Sequence, residues 1–399
     1  MKKIMILGAG ILQLPAIRKA KDMGHIVIAV DMDSNAVGFK EADISHVIST
    51  IDIEGVLNVA KEYEVDGIMT LASDMPMRTV ATVSKELGLV GITEDTALKA
   101  TNKVMMRKAL KEYGVPIPCF YHVSNEKEYL YAVQMIKDKR YRCIVKPADN
   151  AGSRGVNLLR DYKEKTICEA YRYSKSFSRS GDLVVEEYME GPEVSVETLS
   201  VDGECHVIQI TDKLTTNAPY FVEMGHNQPS CLPVEVRSRI VNMAKAANKA
   251  IGITDGPSHT EIKVTKDGPK IVELGARLGG DNITTHLVPL STGVDMVESC
   301  IKIALGEEPD MEPKFQKASA IRYMKSSIGV INDIQGVEEA REVCGIRQVS
   351  IIHGIGSYAK EIQSSVDRIG FVIAQAESAE TAIGVCEAAL KKIIVKVKE

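Results

Sequence analysis

The stretch His259-Thr-Glu261-Ile-Lys-Val-Thr-Lys-Asp-Gly-Pro-Lys-Ile-Val-Glu273-Leu-Gly-Ala-Arg277-Leu-Gly-Gly280-Asp281 reads as two strands joined by a Lys-Asp-Gly-Pro turn. A turn centred on Asp267 sets Glu261 and Glu273 opposite each other across the ladder; another loop length would offset them. Facing like charges repel, so the hairpin calls for a cation between them. Hard Mg²⁺, held by carboxylate and phosphate oxygens, fits that need. Arg277 follows in a glycine-rich turn, placed to neutralise a transferring phosphoryl group. The plainer alternative is a charged, solvated hairpin, and three upstream segments weigh against it.

The first is Ile144-Val-Lys146-Pro147, a strand ending in a lysine, followed by Asn150-Ala-Gly152-Ser153-Arg-Gly155. A strand-borne lysine suits the α/β-phosphates, and the loop at Gly152, Ser153 and Gly155 offers backbone N–H groups to the β/γ-phosphates. In the second, the strand Val184–Glu187 runs into Tyr188-Met189-Glu-Gly-Pro-Glu193. Glu186 suits an adenine amino group, the backbone from Glu187 to Met189 the ring edge, and Glu193 the ribose hydroxyls. The third places Lys213 at a strand end, towards a γ-phosphate. The polar stretch Glu223 to Ser230, with its Gly and Pro, is expected to be a loop that carries His226 into the substrate site.

Outside this region the chain starts as a βαβ series. Ile4 to Leu7 leads to Gly8-Ala9-Gly10, a helix to Met23, and a second buried strand, Ile26 to Val30, that ends at Asp31. Such a turn hints at a dinucleotide site, but Gln13 stands where the third glycine belongs. A helix from Lys103 to Tyr113, capped by Thr96 or Thr101, precedes the linker Gly114-Val-Pro-Ile-Pro118. Past Lys317, strands at Ala318–Tyr323, Gln348–Ile352 and Gly370–Ala374 lead to a final helix, in which Ile383, Cys386, Leu390 and Ile393 share a face.

Composition narrows the function. With 399 residues the chain needs more than one core. Hydrophobic residues at 45% and charged residues at 26% fit a globular protein, and no apolar run is long enough for a membrane span. The net charge of -5 with no basic block gives nucleic-acid binding no support. The start reads as a strand and not as an export signal. Eight cysteines without a CxxC pair read as reduced thiols of a cytoplasmic protein.

Taken in order, Lys103, Lys146 with its glycine loop, Glu186 to Met189, Glu193, Lys213, Glu261, Glu273 and Arg277 resemble the ATP-grasp superfamily over nearly the whole chain. The resemblance implies an α/β and α+β multidomain protein. Residues 1–112 would form a Rossmann-like domain, 113–310 the ATP-grasp domain with 113–190 as a mobile lid, and 311–399 a small C-terminal α+β domain like that of the biotin-carboxylase branch. It implies ATP as cofactor with Mg²⁺, or Mn²⁺ in its place. Lys103 and Lys146 match the phosphate lysines, and Glu186, Glu187, Met189 and Glu193 the nucleoside contacts. Glu261 and Glu273 match the metal carboxylates, and Arg277 the arginine that steadies an acyl phosphate. Gly275 departs from the pattern, because many members carry a metal-binding Asn there. The Glu223-x-Gly-His226 segment and the run after Glu273 are similar to L-amino acid ligases. The expectation is a cytoplasmic homodimer that activates a carboxylate as an acyl phosphate and joins it to an amine. A purine-pathway ligase of the phosphoribosylglycinamide synthetase kind, a non-catalytic nucleotide binder and a dehydrogenase are the alternatives.

Overall fold

The computed structural model describes residues 1–216 and 218–398. Strands Ile44–Val47, Ile26–Asp31, Lys3–Leu7 and Gly67–Thr70 lie side by side in that order in a parallel sheet. Alternate side chains point to opposite faces, so Met5 and Leu7 enter one core and Ile4 and Ile6 another. Lys3–Leu7, Ile26–Asp31 and Gly67–Thr70 are covered on both faces, which is why they read as continuous apolar runs, whereas the edge strand Ile44–Val47 alternates half-buried and exposed residues.

Two consecutive helices lead out of this sheet. Glu94–Thr101 is capped by Thr93, and Lys103–Glu112 by Asn102. Neither Thr96 nor Thr101 is therefore the cap expected from the sequence. Asn102 adopts an extended backbone, and its side chain accepts from the Val104 and Met105 amides at 3.0 and 3.1 Å.

Strands Phe120–Val123, Leu183–Glu187, Cys143–Pro147 and Asn157–Leu158 form a separate antiparallel sheet, in that spatial order. The helices Glu126–Asp138 and Glu164–Ser176 help bury its core around Tyr129, Val133, Val145 and Val185. Beneath it runs an eight-stranded antiparallel sheet. Its order is Gly268–Gly275, Gly256–Thr265, Glu193–Val201, Glu204–Thr215, Glu223–Gln228, Ala318–Met324, Gly370–Ala376 and Ile346–Ile351. The chain on either side of residue 310 thus shares one sheet. The helix Val234–Ile251 packs on it through Ile240, Ala244, Ala247 and Ile251, at helical spacing, and ends at left-handed Gly252.

Two sequence expectations fail here. Glu223–Gln228 is a strand, not a loop, and its last four residues are buried. Polar side chains are accepted there because they are paired: His226 faces Asp281, Asn227 donates to Asp212, and Gln228 donates to Thr211. The last helix, Ala379–Leu390, buries Ala382, Cys386 and Ala389 and stops before Ile393. A further strand, Ile394–Lys398, follows it and pairs antiparallel with Gly329–Gln335. Its alternating pattern places Val395 and Val397 against the small C-terminal core.

The hairpin Gly256–Thr265/Gly268–Gly275 turns at Lys266-Asp267, one half-step from the expected centre, since Thr265 pairs with Gly268. Ile262 pairs with Ile271, yet Glu261 pairs with Glu273. Val272 is the extra residue, a bulge that restores the facing carboxylates. Among the described residues no helix is long and apolar enough to cross a membrane.

Candidate active site

A cleft of about 420 Å³ opens between the four-stranded antiparallel sheet and the eight-stranded one. Lys103, Lys146, Gly152, Ser153, Glu186, Glu187, Met189, Glu193, Lys213, His226, Glu261, Glu273 and Arg277 all line it. Gly155 does not. It packs behind the loop, where a Cβ would stand 2.6 Å from Pro147 and Phe177 carbons.

At the end under the four-stranded antiparallel sheet, Glu186 is only 1% exposed. Its carboxylate takes Arg107 Nε at 2.6 Å and Lys146 Nζ at 3.0 Å. Burial alone would raise its pKa, but Arg107 and Lys146 prevail and hold it at about 2. Glu186 is therefore the counter-ion of two cations rather than a free acceptor for an adenine amino group. Glu187 likewise has partners, in Lys270 Nζ at 3.0 Å and the Cys119 amide at 3.1 Å.

The floor of the cleft carries the two facing carboxylates, each already against a lysine. Lys103 Nζ lies 2.8 Å from Glu273 and donates to the Asn150 carbonyl at 2.6 Å, so it ties the floor to the loop above. Lys213, with its side chain 3% exposed, sits among Glu261 at 2.7 Å, Glu193 at 2.8 Å and Glu223 at 3.6 Å. Burial would lower its pKa, but the three carboxylates raise it well above the ordinary value, so it is charged at all working pH. Burial would raise Glu261, but Lys213 and His259 hold it well below the carboxylate range. Repulsion between Glu261 and Glu273 is thus relieved by two lysines, not by a metal alone. No group of three metal-binding side chains is found among the described residues. Two hard carboxylates fit Mg²⁺ in the form in which substrate phosphates complete the shell.

Arg277 is turned to a residue that sequence reading passed over. Its Nε and Nη2 donate to Asp74 at 2.9 and 3.1 Å, a bidentate pair. Asp74 follows the last parallel strand, the usual place for ligand contacts in such sheets, and that was its available signal. The same pair explains Gly275. A Cβ there would stand 2.6 Å from Asp74 Oδ1, so the Asn found in many ATP-grasp members has no room.

His226 is 1% exposed and turns Nε2 to Asp281 at 3.4 Å. Asp281 also binds both Nη atoms of Arg368 at 2.8 Å, and burial notwithstanding, Arg368 and His226 lower its pKa. His259 was likewise not singled out. Burial would depress its pKa, but Glu197 at 2.7 Å and Glu261 raise it to about 9. Neither Arg107, Asp281, Arg368 nor the His259–Glu197 pair has a linear signature, since each depends on a contact between distant segments.

The N-terminal turn is satisfied internally. Asp31 accepts from the Ala9 amide at 2.7 Å, where a ribose hydroxyl would bind in a dinucleotide fold, and Gln13 fills the space above Gly8 while donating to the Leu71 carbonyl at 2.6 Å.

Similarity to known proteins agrees with this geometry. The ATP-grasp domain family matches residues 139–285, and the family described as L-amino acid ligase C-terminal domain 2 matches residues 322–398. The L-arginine-specific L-amino acid ligase of Bacillus subtilis is 27% identical over 285 residues, which is 70% of this chain and 67% of that protein. The crystal structure of the L-amino acid ligase from Bacillus licheniformis superposes with a TM-score of 0.84 at 22% identity, covering 100% of this chain and 99% of that one. Phosphoribosylglycinamide synthetase from Anaerococcus prevotii gives 0.80 at 22% identity, covering 100% of each chain. At such identity the two structures establish the fold.

Proposed function

We infer, for a chain that carries an ATP-grasp domain and an L-amino acid ligase C-terminal domain, that it is an ATP-dependent carboxylate–amine ligase. The observation that carries this reading is the cleft floor, where Glu261 and Glu273 face each other beside Lys103, Lys213 and Arg277. Such a floor suits a polyphosphate and a reacting carboxylate at once.

A substrate carboxylate oxygen attacks the γ-phosphorus, the bond to the β,γ-bridging oxygen breaks, and ADP leaves. An amine nitrogen then attacks the acyl carbon, loses a proton, and phosphate departs with the electrons of the C–O bond. Lys103 and Lys146 bind phosphates, with the backbone of the 150–155 loop above them. Glu187, Met189 and Glu193 frame the nucleoside. Lys213 and Arg277 balance charge on the transferred group. His226 orients Asp281 at the substrate end. Bound Mg²⁺, or Mn²⁺ in its place, would sit at Glu261 and Glu273 and neutralise phosphate charge. No side chain is needed as a nucleophile. The functional units are residues 1–112, 113–310 with 113–190 as lid, and 311–399, of which the last is joined to the second through the shared eight-stranded sheet, in a cytoplasmic homodimer.

An amino acid is the favoured carboxylate. A phosphoribosyl amine would need a further phosphate site, and the Gly8–Gln13 turn has no arginine and exposes Ile11 and Leu12. The test is phosphate release from ATP and Mg²⁺ with amino acids singly and in pairs, and with glycine plus phosphoribosylamine. Release that depends on an amino-acid pair, matched by ADP and product, is the expected outcome. Turnover only in the phosphoribosylamine arm would assign the purine-type reaction. Silence in every arm, with ATP still bound, would leave a nucleotide binder.

A further inference from the structure

We propose that Arg107 is a positioning residue for the nucleotide, holding Glu186 so that Lys146 stays available to phosphate. The proposal rests on reading Lys146 as a phosphate contact.

Arg107 sits one turn beyond Lys103 on the helix Lys103–Glu112, with a fully buried side chain that does not line the cleft. Its Nε donates to Glu186 Oε1 at 2.6 Å, and its Nη2 to Oε2 at 3.3 Å. The same Nη2 donates to the Val272 carbonyl at 2.7 Å. Lys146 Nζ stands 3.0 Å from Glu186 Oε2 and does line the cleft. One buried carboxylate therefore has two cations, of which only one can reach a ligand.

A buried carboxylate has to be paired. While the Arg107 fork balances Glu186, the charge of Lys146 is left for the phosphates. Without Arg107, Lys146 becomes the sole counter-ion of Glu186. Drawing it to a nucleotide would then strand a buried negative charge. A lysine cannot take over the whole task, because the donor must serve the carboxylate and the Val272 carbonyl together, and a planar fork does that. Val272 is the bulged residue next to Glu273, so the same side chain also braces the turn of strand that aims Glu273 into the cleft. Stability alone does not account for the cluster. Buried ion groups are often replaced by apolar ones of like volume without loss.

The test is calorimetric titration of ATP with Mg²⁺, without other substrates, into wild type, Lys146→Met, Arg107→Met and the double variant Arg107→Met/Glu186→Gln. Lys146→Met should weaken ATP about tenfold or more, since a hydrogen bond to a charged group is lost. Arg107→Met should weaken it about tenfold as well, although the residue does not line the cleft. The double variant should return to within about threefold of wild type, because no buried carboxylate then competes for Lys146. Wild-type affinity in Lys146→Met would remove the premise and the proposal with it. With Lys146→Met weak, wild-type affinity in Arg107→Met overturns the proposal alone. So does a double variant no better than Arg107→Met. If Arg107→Met does not fold, the double variant still carries no unpaired buried carboxylate. Affinity near wild type in it then supports the proposal, and affinity as poor as that of Lys146→Met overturns it.

Discussion

Glu261 and Glu273 face each other across the hairpin because Val272 is bulged out of the ladder between them and Ile271. In a regular strand Glu273 would share the face of Ile271, which is fully buried in the core. The bulge turns the carboxylate to the cleft, where Lys103 meets it. Glu273→Gln removes the charge and keeps the shape. Its expected effect is an intact fold, seen as an unchanged circular dichroism spectrum, with ADP formation reduced on the order of a hundredfold or more. Wild-type turnover would sink the assignment of this carboxylate to the metal.

Glu186 supplies a prediction about acid stability. Its folded pKa is depressed to about 2 from an ordinary 4.5. A depressed carboxylate contributes stability that is fully present above 4.5 and lost as pH falls towards 2. The contribution is on the order of 3 kcal/mol at neutral pH. Glu186→Gln should unfold at lower urea concentration than wild type at pH 7, and the gap between them should narrow between pH 4.5 and 2. A gap that stays constant over that window would show that the carboxylate contributes little through its charge.

Much of this architecture was legible in the sequence. Three of the parallel strands, Lys3–Leu7, Ile26–Asp31 and Gly67–Thr70, are apolar runs beside a glycine, while the half-exposed edge strand Ile44–Val47 has no such signal, and the helix Val234–Ile251 declares itself by the spacing of Ile240, Ala244, Ala247 and Ile251. The strand containing His226 was hidden because its composition is that of a loop. Its polar side chains become strand-compatible only when Asp281, Asp212 and Thr211 arrive from elsewhere in the chain. The facing glutamates were found through a turn centre half a step off, which the unforeseen bulge compensates. Arg107 and Asp74 escaped for one shared reason. Each works through a partner distant in the chain, Glu186 and Arg277, and local periodicity carries no trace of such pairing.

The lid region offers a prediction about motion. Its sheet has its own core, and the loop at 150–155 is tied to the floor by Lys103, while Asn150 donates to the Phe177 carbonyl on the same side of the cleft as the loop. Gly152 and Ser153 are exposed with left-handed backbones. Hydrogen exchange across 113–190 should slow when ATP and Mg²⁺ are added, most of all at 150–158, while the strand Leu183–Glu187 is already protected. Equal protection of the 150–158 segment with and without nucleotide would count against a closing lid.

Arg277 separates a ligase from a protein that only holds ATP, and Asp74 sharpens the test. Two donors of Arg277 are committed to Asp74, so its guanidinium is preorganised beside Glu261 and Glu273 before any substrate arrives. Burial would weaken the charge, but Asp74 and the nearby glutamates raise its pKa above the ordinary arginine value. A charge fixed in this way does its work where new negative charge develops, on the transferring phosphoryl group and the acyl phosphate. Arg277→Ala should then cost a hundredfold to a thousandfold in turnover, roughly the loss seen for a preorganised donor. ATP affinity should change much less, since Lys103, Lys146 and the loop still hold the phosphates. Asp74→Asn keeps the arginine and loosens its orientation, so turnover should fall by less than in Arg277→Ala, with ATP affinity again little altered. The measurements are ATP binding by calorimetry and ADP production with substrates present. Parallel losses of affinity and turnover in Arg277→Ala would mean that the arginine binds ground-state nucleotide, and its role in the chemical step would be withdrawn.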